Sequence, residues 1–283
     1  MIESNPTQTE ARSKVSFRVA AIQMASGPSV TANLEEAARL IEEAAAQEAK
    51  LVVLPEYFCI MGMKDTDKLT VREQPGSGQI QDFLSQTAKR LGIWLVGGSV
   101  PLASPDPDKV FNSCLVYDDQ GRQVARYDKI HLFGLQMGNE RYAEERTIKA
   151  GGQVVTVDSP FGRIGLSICY DLRFPELFRM MNGVDIILAP AAFTAITGKA
   201  HWEVLVRARA VENMAYVIAP GQGGYHVNGR ETNGDSMIVD PWGVVIERLP
   251  RGAGAVVAMI DPGYQSSLRT NLPALSHRTL QAC

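Results

Sequence analysis

Short apolar runs alternate along this chain with longer segments in which apolar residues recur every three or four positions. That pattern predicts strands joined by amphipathic helices. RVAAIQM at 18–24 reads as a strand. TANLEEAARLIEEAAAQEA at 31–49 reads as a helix, with Leu34, Ala38, Ile41 and Ala45 on one face and Thr31 or Asn33 as its cap. LVVL at 51–54 is an apolar strand ended by Pro55. The helix at 77–92 has a stripe of Ile80, Phe83, Leu84, Thr87 and Leu91, and Gly92 closes it. IWLVGGSV at 93–100 predicts a further strand. Two hairpins follow, one joining 111–117 to 122–128, the other within 154–168 and turning at Ser159–Gly162. A helix at 175–182 with Pro175 near its start, a strand at 184–190 and a helix at 200–214 come next. The strands AYVIAP, DSMIVD, GVVIERL and AVVAMID complete the pattern, with a DPWG turn between the second and third.

Helix-linked strands mixed with hairpins predict an α/β fold with mixed sheets, a four-layer α-β-β-α sandwich, rather than one parallel sheet. No GxGxxG follows the first strand and no phosphate-binding loop is present, so nucleotide binding has no support. The length of 283 residues, 45% of them hydrophobic, suits one domain over 16–283 preceded by a flexible polar tail at 1–15. A formal net charge of −3 gives no footprint for nucleic acid or an anionic membrane. No run has the length of a membrane span, and no secretory signal opens the chain. Cys59, Cys114, Cys169 and Cys283 lie far apart without metal-ligand spacing, so a reduced cytoplasm, with no disulfide framework, metal or cofactor, is expected.

Three polar residues follow apolar strands, where α/β folds gather their chemistry. Glu56 follows LVVLP, Lys129 follows RQVARYD, and Cys169 follows RIGLSI. Taken singly, a loop Glu or Lys is a solvated charge and a strand-end Cys is a small core residue. Position alone does not join the three into a site; the chemistry of such a set, once joined, is attack by the thiol, movement of its proton by the carboxylate, and stabilisation of thiolate and oxyanion by the ammonium. The backbone N–H of Tyr170, next after the thiol, is a natural second oxyanion donor.

The strings LPEY, YDKIHLF and SICYDLRFPEL, in this order, resemble the signature segments of the nitrilase superfamily of carbon–nitrogen hydrolases. The resemblance covers nearly the whole chain and implies a catalytic triad of Glu56, Lys129 and Cys169 on the α-β-β-α sandwich. It also implies a second glutamate from ERYAEERTIKAG, placed at Glu144, with neighbouring Glu145 leaving the register open. Dimers joined through the helices near 175–182 and 200–214 are a further implication, for which Leu177, Met180 and Met181 supply apolar surface; a homodimer or larger even assembly is expected.

Other polar residues carry weaker readings. His131 reads as a hydrogen-bonded core residue rather than a base, and His201 as a helix-start residue. Trp202 and Trp242 read as core or interface. Arg173 either pairs with Asp171 or Glu176 or receives a substrate carboxylate in a bidentate fork. The segments PAAFTAITGKAHWE and GGYHVNGRETNGDSM resemble the branch of the family that hydrolyses deaminated glutathione, with Gly234-Asp235-Ser236 where many relatives have Gly-His-Ser. On that reading Thr194, Thr197, His226 and Arg230 hold the substrate's peptide tail. The expected activity is hydrolysis of a linear carboxamide through a cysteine thioester, releasing ammonia. Alternatives are an omega-amidase of keto-acid amides, an N-carbamoyl hydrolase and, from a different class, an inactive scaffold, against which the intact triad argues.

Overall fold

The computed structural model describes residues 15–137 and 140–280. All of the expected tail except Val15, and Cys283, lie outside these residues. The first sheet has seven strands. From one edge they run Gly254–Ile260, Phe17–Gln23, Ala49–Val53, Trp94–Val96, Val110–Tyr117 and Val100–Ala103, with Gln123–Asp128 also paired to Val110–Tyr117. The second has six, in the order Val245–Leu249, Ser236–Val239, Tyr216–Ala219, Ile186–Leu188, Gly162–Leu166 and Thr156–Ser159. Both sheets mix parallel and antiparallel pairs. The helices are α1 (Val30–Ala46), α2 (Asp67–Thr70), α3 (Gln79–Leu91), α4 (Pro175–Met180), α5 (Ala195–Asn213) and α6 (Pro262–Asn271).

The two-residue period of the strands builds the layers. Val19, Ala21, Leu51 and Val53 point into a core shared with Ile164, Leu166 and Leu188 of the second sheet, while Ile187, on the opposite face by register, belongs to the same cluster with Leu177, Trp202 and Val206 of α4 and α5. Their neighbours Ala20, Ile22, Val52 and Leu54 point the other way, onto Leu34, Ile41, Ile80 and Leu84 of α1 and α3. The sheets therefore pack face to face between helical layers, the α-β-β-α sandwich.

Several local expectations change. Ser29, not Thr31 or Asn33, caps α1, accepting from the Ala32 N–H. Asn33 is buried and binds the carbonyls of Gly27 and Cys59 instead. Helix α5 begins at Ala195 because the Thr194 hydroxyl accepts from the Thr197 N–H and sets its first turn. The strand expected at 93–100 breaks into two at Gly97–Gly98. Gly98 has φ +37°, and a Cβ there would lie 2.0 Å from the Pro55 carbonyl oxygen, so only glycine lets the chain pass the segment that carries Glu56. Leu177 and Met181 are buried, which leaves Met180 as the exposed one of the three apolar residues expected on the surface of α4. The hairpins Gly134–Met137 with Glu140–Ala143 and Gly223–Tyr225 with Glu231–Asn233, and α2 and α6, went unpredicted. Among the described residues no helix is long and apolar enough to cross a membrane.

Candidate active site

Glu56, Lys129, Glu144 and Cys169 meet at one end of the two sheets. Each is carried just past an element whose fixed geometry aims it. Glu56 follows Ala49–Val53, and its backbone carbonyl accepts from Gln222 Nε2 at 3.1 Å. Lys129 follows Gln123–Asp128; its N–H donates to Asn112 O and its own carbonyl accepts from the Gly151 N–H. Cys169 starts the tight turn Cys169–Arg173 with φ +52°, a left-handed conformation costly for any residue bearing a Cβ. Bonds hold that turn on every side. The Cys169 N–H donates to Pro190 O at 2.9 Å. Asp171 accepts from the Ile168 N–H and the Tyr127 hydroxyl, and buried Arg209 donates twice to Leu172 O.

The ammonium of Lys129 has no solvent exposure, and it lies 2.8 Å from Glu56 Oε1 and 2.8 Å from Glu144 Oε2. Asn112 Nδ2 donates to Glu56 Oε1 at 2.9 Å. Glu144 accepts from the Tyr57 hydroxyl at 2.7 Å and the Phe133 N–H at 2.7 Å, while Glu145 is exposed, so the open register resolves at Glu144. Burial lifts the Glu56 carboxyl above its ordinary range, Lys129 opposing and Glu144 adding. Burial acts the same way on Glu144, but Lys129 and the two hydrogen bonds prevail and hold it below that range. Burial works against the charge on Lys129, yet the carboxylates overcome it and keep the ammonium charged.

The thiol departs from expectation. Burial first, and then the charge of Glu56, push the Cys169 thiol well above its usual value, although Lys129 and the Ala192 N–H pull the other way. The Lys129 charge therefore does not outweigh burial and the Glu56 charge at this thiol. The arrangement suits a thiol that gives up its proton to Glu56 only as it attacks.

A cleft enclosing about 610 Å³, part of it open to solvent, is lined by Glu56, Tyr57, Lys68, Glu144, Cys169 and Arg230, among others. A smaller space of about 210 Å³ also borders Cys169; it shares Phe133, Ala192 and Thr194 with the cleft and is lined besides by Tyr170, Arg173, Phe193 and Thr197. Arg173 forms no ion pair with a described carboxylate. Asp171 is engaged elsewhere, and the guanidinium stacks over Tyr170 and Phe193 and contacts His201 Nδ1 at 3.2 Å. His201 lies inside α5 rather than at its start. Thr194 and Thr197 share a hydroxyl–hydroxyl bond of 2.9 Å. Arg230 reaches the cleft but is paired with Asp65 and lies over Tyr142.

His226 stands apart. Both its ring nitrogens are engaged, Nδ1 with Ser26 O and Nε2 with Thr232 Oγ1, and it does not line the cleft, so the expected substrate contact is replaced by a structural one. His131 bonds Asp171 at 2.7 Å and stacks on Phe174, as a structural histidine. Sequence reasoning missed Tyr57, Lys68 and Asn112. Asn112 had left a signal: a polar pair in the middle of the apolar strand FNSCLVY must find partners.

A thiol between a buried carboxylate and a buried ammonium, at the strand ends of a double-sheet sandwich, defines a class. The chain belongs to the carbon–nitrogen hydrolase family, whose model matches residues 18–270, and it is an amide-hydrolysing enzyme. Among known proteins it is similar to the deaminated glutathione amidase of Synechocystis, 42% identical over 93% of this chain and 98% of the relative. The human deaminated glutathione amidase is 38% identical over 92% of this chain and 81% of its own. Among solved structures, the Caenorhabditis elegans NitFhit protein superposes with a TM-score of 0.87 at 37% identity, over 93% of this chain and 65% of that one. Saccharomyces cerevisiae Nit3, a nitrilase-superfamily member, gives 0.84 at 31% identity, over 94% and 97%.

Proposed function

We propose that this single domain, over 16–283, is an amidase for deaminated glutathione that works through a thioester on Cys169. The observation that carries the chemistry is Lys129 bridging Glu56 and Glu144 beside a buried thiol. As Sγ bonds to the amide carbon, its proton passes to Glu56. Lys129 and the Tyr170 N–H stabilise the oxygen as it becomes negative. Glu56 then protonates the amide nitrogen, the C–N bond breaks, and the amine departs. Glu56 next takes a proton from water, whose oxygen attacks the thioester, and as the C–S bond breaks Glu56 passes that proton to sulfur, which restores the thiol and the carboxylate. From a primary amide the departing group is ammonia. From deaminated glutathione cut at its γ-amide it is the amine of the cysteinylglycine tail. Glu144, held by Tyr57, keeps Lys129 charged and in place. No metal or organic cofactor enters any step.

The relatives named for deaminated glutathione support the substrate, and so does Arg173. It adjoins Cys169 without a carboxylate partner among the described residues, and it suits the keto-acid carboxylate of the acyl half. The test compares kcat/KM for deaminated glutathione, 2-oxoglutaramate and an N-carbamoyl amino acid. A preference of at least about tenfold for the first supports the reading, since remote binding energy raises kcat/KM. Equal values for the first two favour an omega-amidase.

A second copy of the chain is the expected partner, and a cytoplasmic setting suits its unpaired thiols. On α5, Val204 and Val211 are 68% and 52% exposed; Trp242 and Val244, in the adjoining turn, are 55% and 51% exposed. Arg207 Nε donates to Gly243 O and joins these two elements into one apolar surface, which suits a homodimer interface.

A further inference from the structure

Lys68 sits on the short α2 and lines the main cleft together with Glu56 and Cys169. Its ammonium has one hydrogen bond, to Thr147 Oγ1 at 3.3 Å, and lies 5.5 Å from the centre of the Tyr57 ring. It forms no ion pair with any described carboxylate. The other cations of the cleft are matched: Lys129 by Glu56 and Glu144, and Arg230 by Asp65. Burial is enough to draw the Lys68 ammonium below its ordinary value, Glu144 and Asp65 opposing. An ammonium carries three donors, and withdrawing it from water without a counter-charge is costly. Lys68 is therefore a cation with no direct counter-ion among the described residues, facing the charges of Glu144 and Asp65 only at longer range.

The side of the nucleophile on which it lies indicates what it takes. Glu56 must stand next to the nitrogen it protonates, so the leaving amine occupies the Glu56 cleft, where Lys68 also lies. Arg173 borders the second space at Cys169, whose lining does not include Glu56, and the acyl half belongs there. We propose that Lys68 binds a carboxylate at the far end of the leaving amine, making the enzyme selective for amides whose departing group is an acidic peptide. This rests on the reading above of a tailed keto-acid amide. It assigns the tail's anionic end to Lys68, whereas Arg230 and His226, two of the four residues expected there from the sequence, have their partners already.

The experiment uses three amides with one keto-acid acyl group: the primary amide, the cysteinylglycine amide, and the same compound with its terminal carboxylate capped as a carboxamide. Wild type, Lys68→Met and Lys68→Arg are compared by kcat/KM, with thermal unfolding to verify the fold. Wild type should prefer the free carboxylate to the capped one. Lys68→Met should lose about ten- to a hundredfold on the free carboxylate alone, the range for a hydrogen bond to a charged group. It should stay within about twofold on the other two, and Lys68→Arg should keep the preference. Equal losses on all three amides, or a wild type blind to the cap, overturn the assignment. A wild type that cuts the tailed amides no better than the primary one counts against the substrate reading, while the free-against-capped comparison still decides the role of Lys68.

Discussion

Lys129 reaches both carboxylate oxygens of Glu144, Oε2 at 2.8 Å and Oε1 at 3.1 Å. Glu56 takes the same ammonium from another side, so one buried cation faces two buried anions. Removing one partner of a buried pair leaves a charge to be carried without compensation. Glu144→Ala should therefore cost stability as well as rate, about 3 kcal/mol in urea unfolding and about a hundredfold in kcat. Wild-type values for both would show that Glu56 alone suffices to hold Lys129.

The raised pKa of Cys169 predicts how its reactivity depends on pH. The thiol's ordinary value is 9.0, and the folded value lies above it. The neutral thiol's contribution to stability is thus fully present below 9.0 and is lost as pH rises through the folded value. Alkylation of Cys169 by iodoacetamide in the free enzyme should keep accelerating past pH 9 without a plateau. Because the Glu56 charge helps to raise the thiol while Lys129 lowers it, Glu56→Gln should alkylate faster at neutral pH even as turnover collapses. Cys59 and Cys114, wholly buried and pushed upward by burial, should stay unmodified. A plateau near neutrality in wild type would mean a resting thiolate.

Arg173 makes no ion pair among the described residues, so its loss should spare the fold. Arg173→Ala should lower kcat/KM for keto-acid amides by about ten- to a hundredfold, the range for a charged hydrogen-bonding partner, with an unchanged melting temperature. Arg173→Lys should recover only part, because an ammonium cannot reproduce the fork. A loss matched on amides without a carboxylate would mark Arg173 as a support for Tyr170 and Phe193.

The layers were legible because the two-residue period of 17–23 and 49–53 and the stripes of α1 and α3 are strong, and because each layer buries one face of its neighbour. Glu56, Lys129 and Cys169 were legible because each stands just beyond a strand within a long string. The rest depended on tertiary partners. GLQM and ERYA are too short and polar to declare a hairpin. His226 looked like a loop residue until both its nitrogens proved engaged inside the protein. Lys68 in DTDKL carries no local signal, since nothing along the chain tells that a charge lacks a direct counter-ion. The burial and the Glu56 charge that raise the thiol depend on packing across separate chain segments, which no pattern along one of them encodes.

The apolar surface of α5 and the 240–244 turn predicts that a charge there separates subunits. Val211→Glu should shift the light-scattering mass from dimer to monomer at micromolar concentration, leaving far-UV circular dichroism unchanged. A wild type that is already monomeric would remove the proposed interface.

The central claim is a covalent acyl group on Cys169. Wild type mixed with a slowly hydrolysed keto-acid amide and quenched in acid should gain the mass of the acyl group. The adduct should map to the peptide containing Cys169, with released amine matching it in the first turnover. Cys169→Ala, folded as the wild type, should gain nothing and turn nothing over. Turnover by Cys169→Ala, or wild-type turnover with amine released and no adduct on any substrate, would contradict the account.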